Sequence, residues 1–184
     1  MAFTKPIPDA VLAASVRTSL CCKMGNRNDG SDGTVDQQLC GVIGQNMILH
    51  ALGQPMMEPA CHHDNGVDFK VFNAAFDVKT MSRTVKPSID FVNNFIASQA
   101  QFSPDAYLFA SIDKTDMKLT VCGWIPKEEL NSRAVLIPKG SVRTRRDGST
   151  FTLKADTYEI KNADLNHAAT SWPDLWHEIA TWRG

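Results

Sequence analysis

Between Val67 and Thr80 the chain reads VDFKVFNAAFDVKT, the stretch around which the rest of the chain is organised. Asp77 and Lys79 stand two apart in a run of Phe and Val, so in a strand they emerge on one side while Phe76 and Val78 point the other way, into a core. Asp68 lies nine positions before Asp77, and Asn73 between them suggests a tight hairpin. Its register decides what meets. A Phe72-Asn73 loop sets Asp68 opposite Asp77. An Asn73-Ala74 loop sets Asp68 opposite Lys79, with Asp77 as its diagonal neighbour. Both even-length loops put Asp68, Asp77 and Lys79 on one face, with cross-strand Cβ atoms roughly 4.5–5.5 Å apart. A three-residue loop would pair Asp68 with Val78 and break the grouping.

Two carboxylates held this close destabilise each other unless something neutralises them, and a hard divalent cation with oxygen ligands does so. Removing Asp77 would then relieve repulsion. Mg²⁺ takes one or two carboxylates, several waters and substrate phosphates; a lysine beside it can orient water or stabilise developing negative charge. The competing reading of the same residues is a cross-strand ion pair between Asp68 and Lys79 at a sheet edge.

The segment resembles the signature of the PD-(D/E)XK nuclease superfamily, with Asp68 as the lone acid and Asp77-Val78-Lys79 as the (D/E)-x-K element. The surroundings agree from about residue 34 to 130. GVIGQNMILHALG resembles the first helix of that family, with Gln45 where a glutamate is usual, and PDAYLFASI followed by KLTVCGWIPKEEL resembles its later strands. Pro104-Asp105 follows the D-x-K element and is not the metal acid. The resemblance implies an α/β, restriction-endonuclease-like fold with a central mixed sheet flanked by helices. It also implies phosphodiester hydrolysis with Mg²⁺ or Mn²⁺, DNA being favoured over RNA and an endonuclease over an exonuclease. Asp68, Asp77 and the Val78 carbonyl would hold metal, with Lys79 and Gln45 completing the catalytic set. The alternative is an inactive nuclease-fold protein that binds nucleic acid or a protein partner; the glutamine at position 45 leans that way and the intact D…D-x-K against it. No phosphate loop, dinucleotide fingerprint or nucleophile elbow points to another enzyme class.

A chain of 184 residues suits one domain, its core at about 34–130 and an accessory hairpin and helix at 131–184. Net charge is −1, so any attraction to phosphate must come from local patches and metal, which argues against a non-specific nucleic-acid coat protein. Arg17 interrupts the apolar run near the N-terminus, so neither signal peptide nor membrane span is expected. Five cysteines form no evident disulfide framework, as in a cytoplasmic protein with reduced thiols. The size and single-domain economy suit a viral or mobile-element nuclease, which would act in the host cytoplasm.

Along the chain, residues 8–24 read as a helix opened by Pro8 and closed at Gly25, packing through Val11, Leu12, Val16 and Leu20. Asn26 to Gly33 is a polar loop. Thr34 and Gln37 make a capping box for a helix running to Leu52 and stopping at Gly53. Gly41 and Gly44 each cost that helix about 1 kcal/mol relative to alanine, which close packing or ligand approach must offset. Cys61, His62 and His63 lack the separated pairs of a structural zinc site; His62, His63 or Glu58 would line the edge of the metal site, touching phosphate or metal-bound water, and an ordinary solvated surface is the favoured competing reading of each. Ser82, Arg83, Thr84 and Lys86 follow the D-x-K strand as phosphate contacts. Ser88 reads as the cap of a helix carrying Ile89, Val92, Phe95 and Ile96. Buried strands follow at 107–112 and 119–122.

The last third concentrates positive charge. Gly140 to Ala155 reads as a hairpin turning at Asp147-Gly148, with Arg143 and Arg145 on one face and Arg146 beside them. These arginines are either nucleic-acid backbone contacts or the charges of a solvated edge. A capped C-terminal helix carries Trp172, Leu175, Trp176 and Ile179 as a stripe suited to core or to a homodimer interface.

Overall fold

The computed structural model describes residues 3–22, 34–57, 66–145 and 147–183. They form a mixed α/β architecture with a curled mixed sheet and, among the described residues, four α-helices. The main sheet contains β1 (Phe3–Pro6), β2 (Phe69–Val71), β3 (Ala74–Arg83), β5 (Ala106–Asp113) and β6 (Lys118–Pro126), in the order β1-β6-β5-β3-β2. Only the β3–β5 pair is parallel. A second, antiparallel sheet has β4 (Val92–Ile96), β10 (Thr157–Lys161) and β7 (Val135–Ile137) in the order β4-β10-β7, and β8 (Val142–Thr144) pairs with β9 (Thr150–Thr152) alone.

Every residue of β5 from Ala106 to Ile112 is buried, because the main sheet is covered on both faces. Leu108, Ala110 and Ile112 join Phe76 and Val78 of β3 beneath α1 (Asp9–Cys21), α2 (Val35–Ala51) and α4 (Trp172–Arg183). Tyr107 and Phe109 point the opposite way, onto Phe95 and Ile160 of the second sheet. The alternation of β3 thus carries Phe76 and Val78 to the helical layer and Asp77 and Lys79 to the layer between the sheets.

The capping box at Thr34 and Gln37 is present, and α2 gives way at Gly53 with φ +66°. Ser171 caps α4 through the Asp174 N–H at 3.3 Å, and Leu175 and Ile179 lie in the core with Trp172, Trp176 and Trp182 packed around them. The tryptophan stripe is therefore core. A four-residue helix, α3 (Leu130–Arg133), follows β6 after a 3₁₀ turn at Lys127–Glu129.

Two expectations are corrected. Residues 92–96 form β4 instead of a helix capped by Ser88. VNNFI carries residues of modest helix propensity, and β10, some sixty positions later in the chain, supplies a partner strand with Phe95 opposite Tyr158. Phe95 and Asn93 point inward, and Asn93 bonds Asn162 at 2.7 Å. Helix α1 does begin after Pro8, but Val16 and Leu20 are exposed, Leu20 at 74%, and the buried strip is Val11, Ala14, Ser15, Thr18 and Ser19. A polar network explains the rotation. Asn46 of α2 donates to the Ser15 hydroxyl (3.0 Å) and accepts from the Met57 N–H (2.8 Å), and Thr18 donates to the Met57 carbonyl (3.2 Å). Small hydroxyl residues let the helices approach and satisfy a buried amide that leucines would strand. The polar loop 26–33 and the closure at Gly25 lie outside the described residues.

Candidate metal and nuclease site

The β2–β3 hairpin takes the first of the two even registers: Val71 pairs with Ala74 and Phe69 with Phe76 across a Phe72-Asn73 loop. Both loop residues have positive φ, 48° and 60°, the signature of a type I′ turn whose twist matches the strands. Continued by one residue, this register sets Asp68 against Asp77.

Asp68 does not continue the ladder, however. β2 begins at Phe69, and the Asp68 N–H donates to the Phe76 carbonyl at 2.8 Å. Its carboxylate lies at the edge of β3 and accepts the Val78 N–H at 2.6 Å. The expectation that Asp68, Asp77 and Lys79 share one face is corrected to this extent: Asp68 is at the strand edge, because beyond β2 the buried Val78 N–H needs an acceptor and the carboxylate provides it. The Val78 carbonyl points to the same edge, since N–H and C=O of one residue in a strand lie on one side. The carbonyls of Ala75 and Arg83 lie on the opposite, β5 side, where they accept from Asp105 and Lys114.

Asp77 and Lys79 project into the layer between the sheets. Lys79 Nζ is 2.7 Å from Asp77 Oδ2, with the side chains 13% and 6% exposed. The ammonium also donates to Gln99 Oε1 at 3.0 Å and lies 5.3 Å from the centre of the Phe95 ring. Tyr107, paired with Asp77 across the parallel ladder, has its hydroxyl buried with no hydrogen-bond partner among the described residues. Burial, then the charge of Asp77, push its ionisation up to about 12, so it stays a neutral phenol. Sequence reasoning misses Gln99, Phe95 and Tyr107. Counting alternation in β5 would have found Tyr107; Gln99 sits on a 3₁₀ turn (Ala97–Gln101) that carries no motif.

From the helical layer, Gln45 Nε2 donates to the Asp68 carbonyl at 3.0 Å, so α2 does reach the site. Its neighbour Gly44 lies directly on Thr80. Asp105 serves the hairpin: it accepts the Ala75 N–H at 2.7 Å and pairs with Arg183 of α4. These bonds hold its carboxyl below the usual range, with the Ala75 N–H the larger cause.

The basic residues are dispersed. Arg83 donates to the Val92 carbonyl at 2.6 Å, rests on Phe91 and is held below its ordinary ionisation by burial, so it braces the start of β4. Lys86 is exposed. Arg143 is paired with the buried Glu159 of β10, through Nε at 2.9 Å and Nη2, which ties the β8–β9 ribbon to the second sheet. Arg145 lies over the Phe151 ring at 4.5 Å and is exposed. The ribbon turns with Arg145 bonded to Ser149 and Gly148 at φ +83°. Arg146, and Glu58, Cys61, His62 and His63 before the hairpin, lie outside the described residues.

Among the described residues no three of His, Cys, Asp and Glu come together. Asp68, Asp77 and the strand-edge Val78 carbonyl carry hard oxygen atoms, the donor type that Mg²⁺ or Mn²⁺ takes along with water and phosphate. Comparison with known protein families, curated proteins and solved structures finds no match to this chain.

Proposed function

We propose that this protein is a metal-dependent nuclease, with DNA favoured as substrate and internal cleavage as its mode. The observation that carries the reading is the grouping around the middle of β3 of Asp68 at the strand edge, Asp77 and Lys79 on the inter-sheet side, and Gln45 of α2 on the Asp68 backbone. Asp68, Asp77 and the Val78 carbonyl would hold the cation, which when bound supplies Lewis-acid activation of water and phosphate. The rest belongs to the chain. The Val78 N–H fixes the Asp68 carboxylate, the Gln45 amide fixes the Asp68 backbone, and Lys79 presents an ammonium where negative charge develops. Labelled DNA and RNA incubated with Mg²⁺, Mn²⁺ or EDTA test the proposal, and absence of metal-dependent cleavage on every substrate would sink it. The burial of the Asp77–Lys79 pair favours a second reading, in which the pair is structural and the protein binds nucleic acid or a protein without cutting; retention of DNA with no product is its signature.

Gln45→Glu replaces the donor to the Asp68 carbonyl by an anion, so the apo protein should lose stability, while the added charge should tighten Mn²⁺ binding without nucleic acid. Calorimetric titration of Mn²⁺ into both proteins measures this, and equal affinities would remove Gln45 from the metal's surroundings. Arg145→Ala on the ribbon, and Arg146→Ala next to it in sequence, should flatten the salt dependence of DNA binding, the slope falling by about 0.9 for each phosphate that the variant no longer neutralises. Arg143→Ala should instead loosen the ribbon from Glu159. An unchanged slope would make the ribbon a solvated edge.

A further inference from the structure

Lys79 is held from two sheets at once. Asp77 belongs to β3, whereas Gln99 and Phe95 belong to β4 and the 3₁₀ turn that continues it. That turn is fixed independently of the main sheet: Ile96 pairs with Thr157, and the Ala97 N–H donates to the Asp156 carbonyl at 2.8 Å. An ammonium has three N–H donors and no preferred fork. One reaches Asp77 Oδ2 and one reaches Gln99 Oε1, so the direction of the third is set by geometry.

Asp77 is also a proposed metal ligand, and a cation on its carboxylate weakens its hold on Lys79 and repels the ammonium. A lysine held by Asp77 alone would swing away on its four-carbon stem. An amide oxygen attracts the ammonium without adding negative charge that would repel a phosphate. We propose that Gln99 is a positioning residue: its amide oxygen, carried by the second sheet, keeps the Lys79 ammonium at the Asp77 end of the site while the carboxylate engages metal. The third N–H is then aimed at water or a phosphate oxygen. This rests on the nuclease reading above, and it gives the second sheet a role in that chemistry.

The test has one arm free of catalysis. Side-chain carbon relaxation of Lys79, assigned by its disappearance in Lys79→Arg, reports the order of its terminal methylene in the full chain, with and without Mg²⁺. Wild type should stay ordered in both conditions. Gln99→Leu should lose order, most clearly with Mg²⁺ present. In the second arm, Gln99→Leu should lower kcat about tenfold with KM nearly unchanged, whereas Gln99→Glu, which keeps an acceptor oxygen but adds a charge that repels phosphate, should keep Lys79 ordered and raise KM. Lys79 equally ordered in Gln99→Leu and wild type, or as disordered in Gln99→Glu as in Gln99→Leu, overturns the proposal. Should the wild type cut neither DNA nor RNA, the nuclease reading fails, and the relaxation arm still decides whether Gln99 holds Lys79.

Discussion

Asp77→Asn is expected to lower cleavage by about a thousandfold while leaving the fold in place, because it removes a full negative charge from the centre of the site and changes almost nothing in shape. The asparagine oxygen can still accept from Lys79, and Gln99 holds the ammonium from the other side. Asp77→Ala is a different experiment. The side chain it deletes is 6% exposed and pairs with an ammonium 13% exposed, so the variant leaves a charge largely withdrawn from water without its counter-ion. Breaking such a pair costs on the order of 3 kcal/mol. The repulsion between two acids that the sequence suggests is outweighed, because Asp77 faces Lys79 and Asp68 turns to the strand edge. Single-turnover cleavage in Mg²⁺ and urea unfolding of both variants separate the effects. A wild-type rate in Asp77→Asn would remove Asp77 from the chemistry, and an Asp77→Ala as stable as wild type would mean that the pair is not buried.

How far the site is legible in the sequence depends on the range of the interactions that build it. The hairpin is readable because turn chemistry and strand alternation are local: Asn73 tolerates the left-handed conformation that a two-residue loop demands, and the alternation then assigns Phe76 and Val78 to one side and Asp77 and Lys79 to the other. The capping box at Thr34 and the buried run of β5 are readable for the same reason. β4 is not, since apolar residues at 89, 92, 95 and 96 satisfy a helical period and only pairing with β10 selects the strand. The edge position of Asp68 depends on where β2 stops, and element boundaries are the part of a pattern least fixed by local sequence. Arg143 illustrates the converse error: an arginine on an alternating hairpin looks like a phosphate contact until Glu159, sixteen residues on, is found against it.

The two glycines of α2 make a sharp second prediction, since they are alike in sequence and opposite in surroundings. A methyl group on Gly41 would meet nothing within 4 Å, so Gly41→Ala should stabilise the protein by up to about 1 kcal/mol through helix propensity. A methyl group on Gly44 would lie 1.9 Å from Thr80 Oγ1, 2.9 Å from its Cβ and 3.0 Å from its Cγ2. Turning the threonine about χ1 moves the hydroxyl and the methyl but not Cβ, so α2 itself must lift from β3. Overpacking of this kind costs about 1–3 kcal/mol, more than the helix propensity gained, and Gly44→Ala should be the less stable of the pair by roughly 2 kcal/mol. The consequence reaches the site because Gln45 is the next residue: lifting α2 draws its amide from the Asp68 carbonyl, and cleavage should fall along with stability. Thr80→Gly removes all three clashing atoms, so Gly44→Ala should cost less in that background than in wild type, a coupling that a double-mutant cycle of urea midpoints measures directly. Equal stability of Gly41→Ala and Gly44→Ala would mean that α2 does not rest on Thr80, and the route by which Gln45 reaches Asp68 would have to be redrawn.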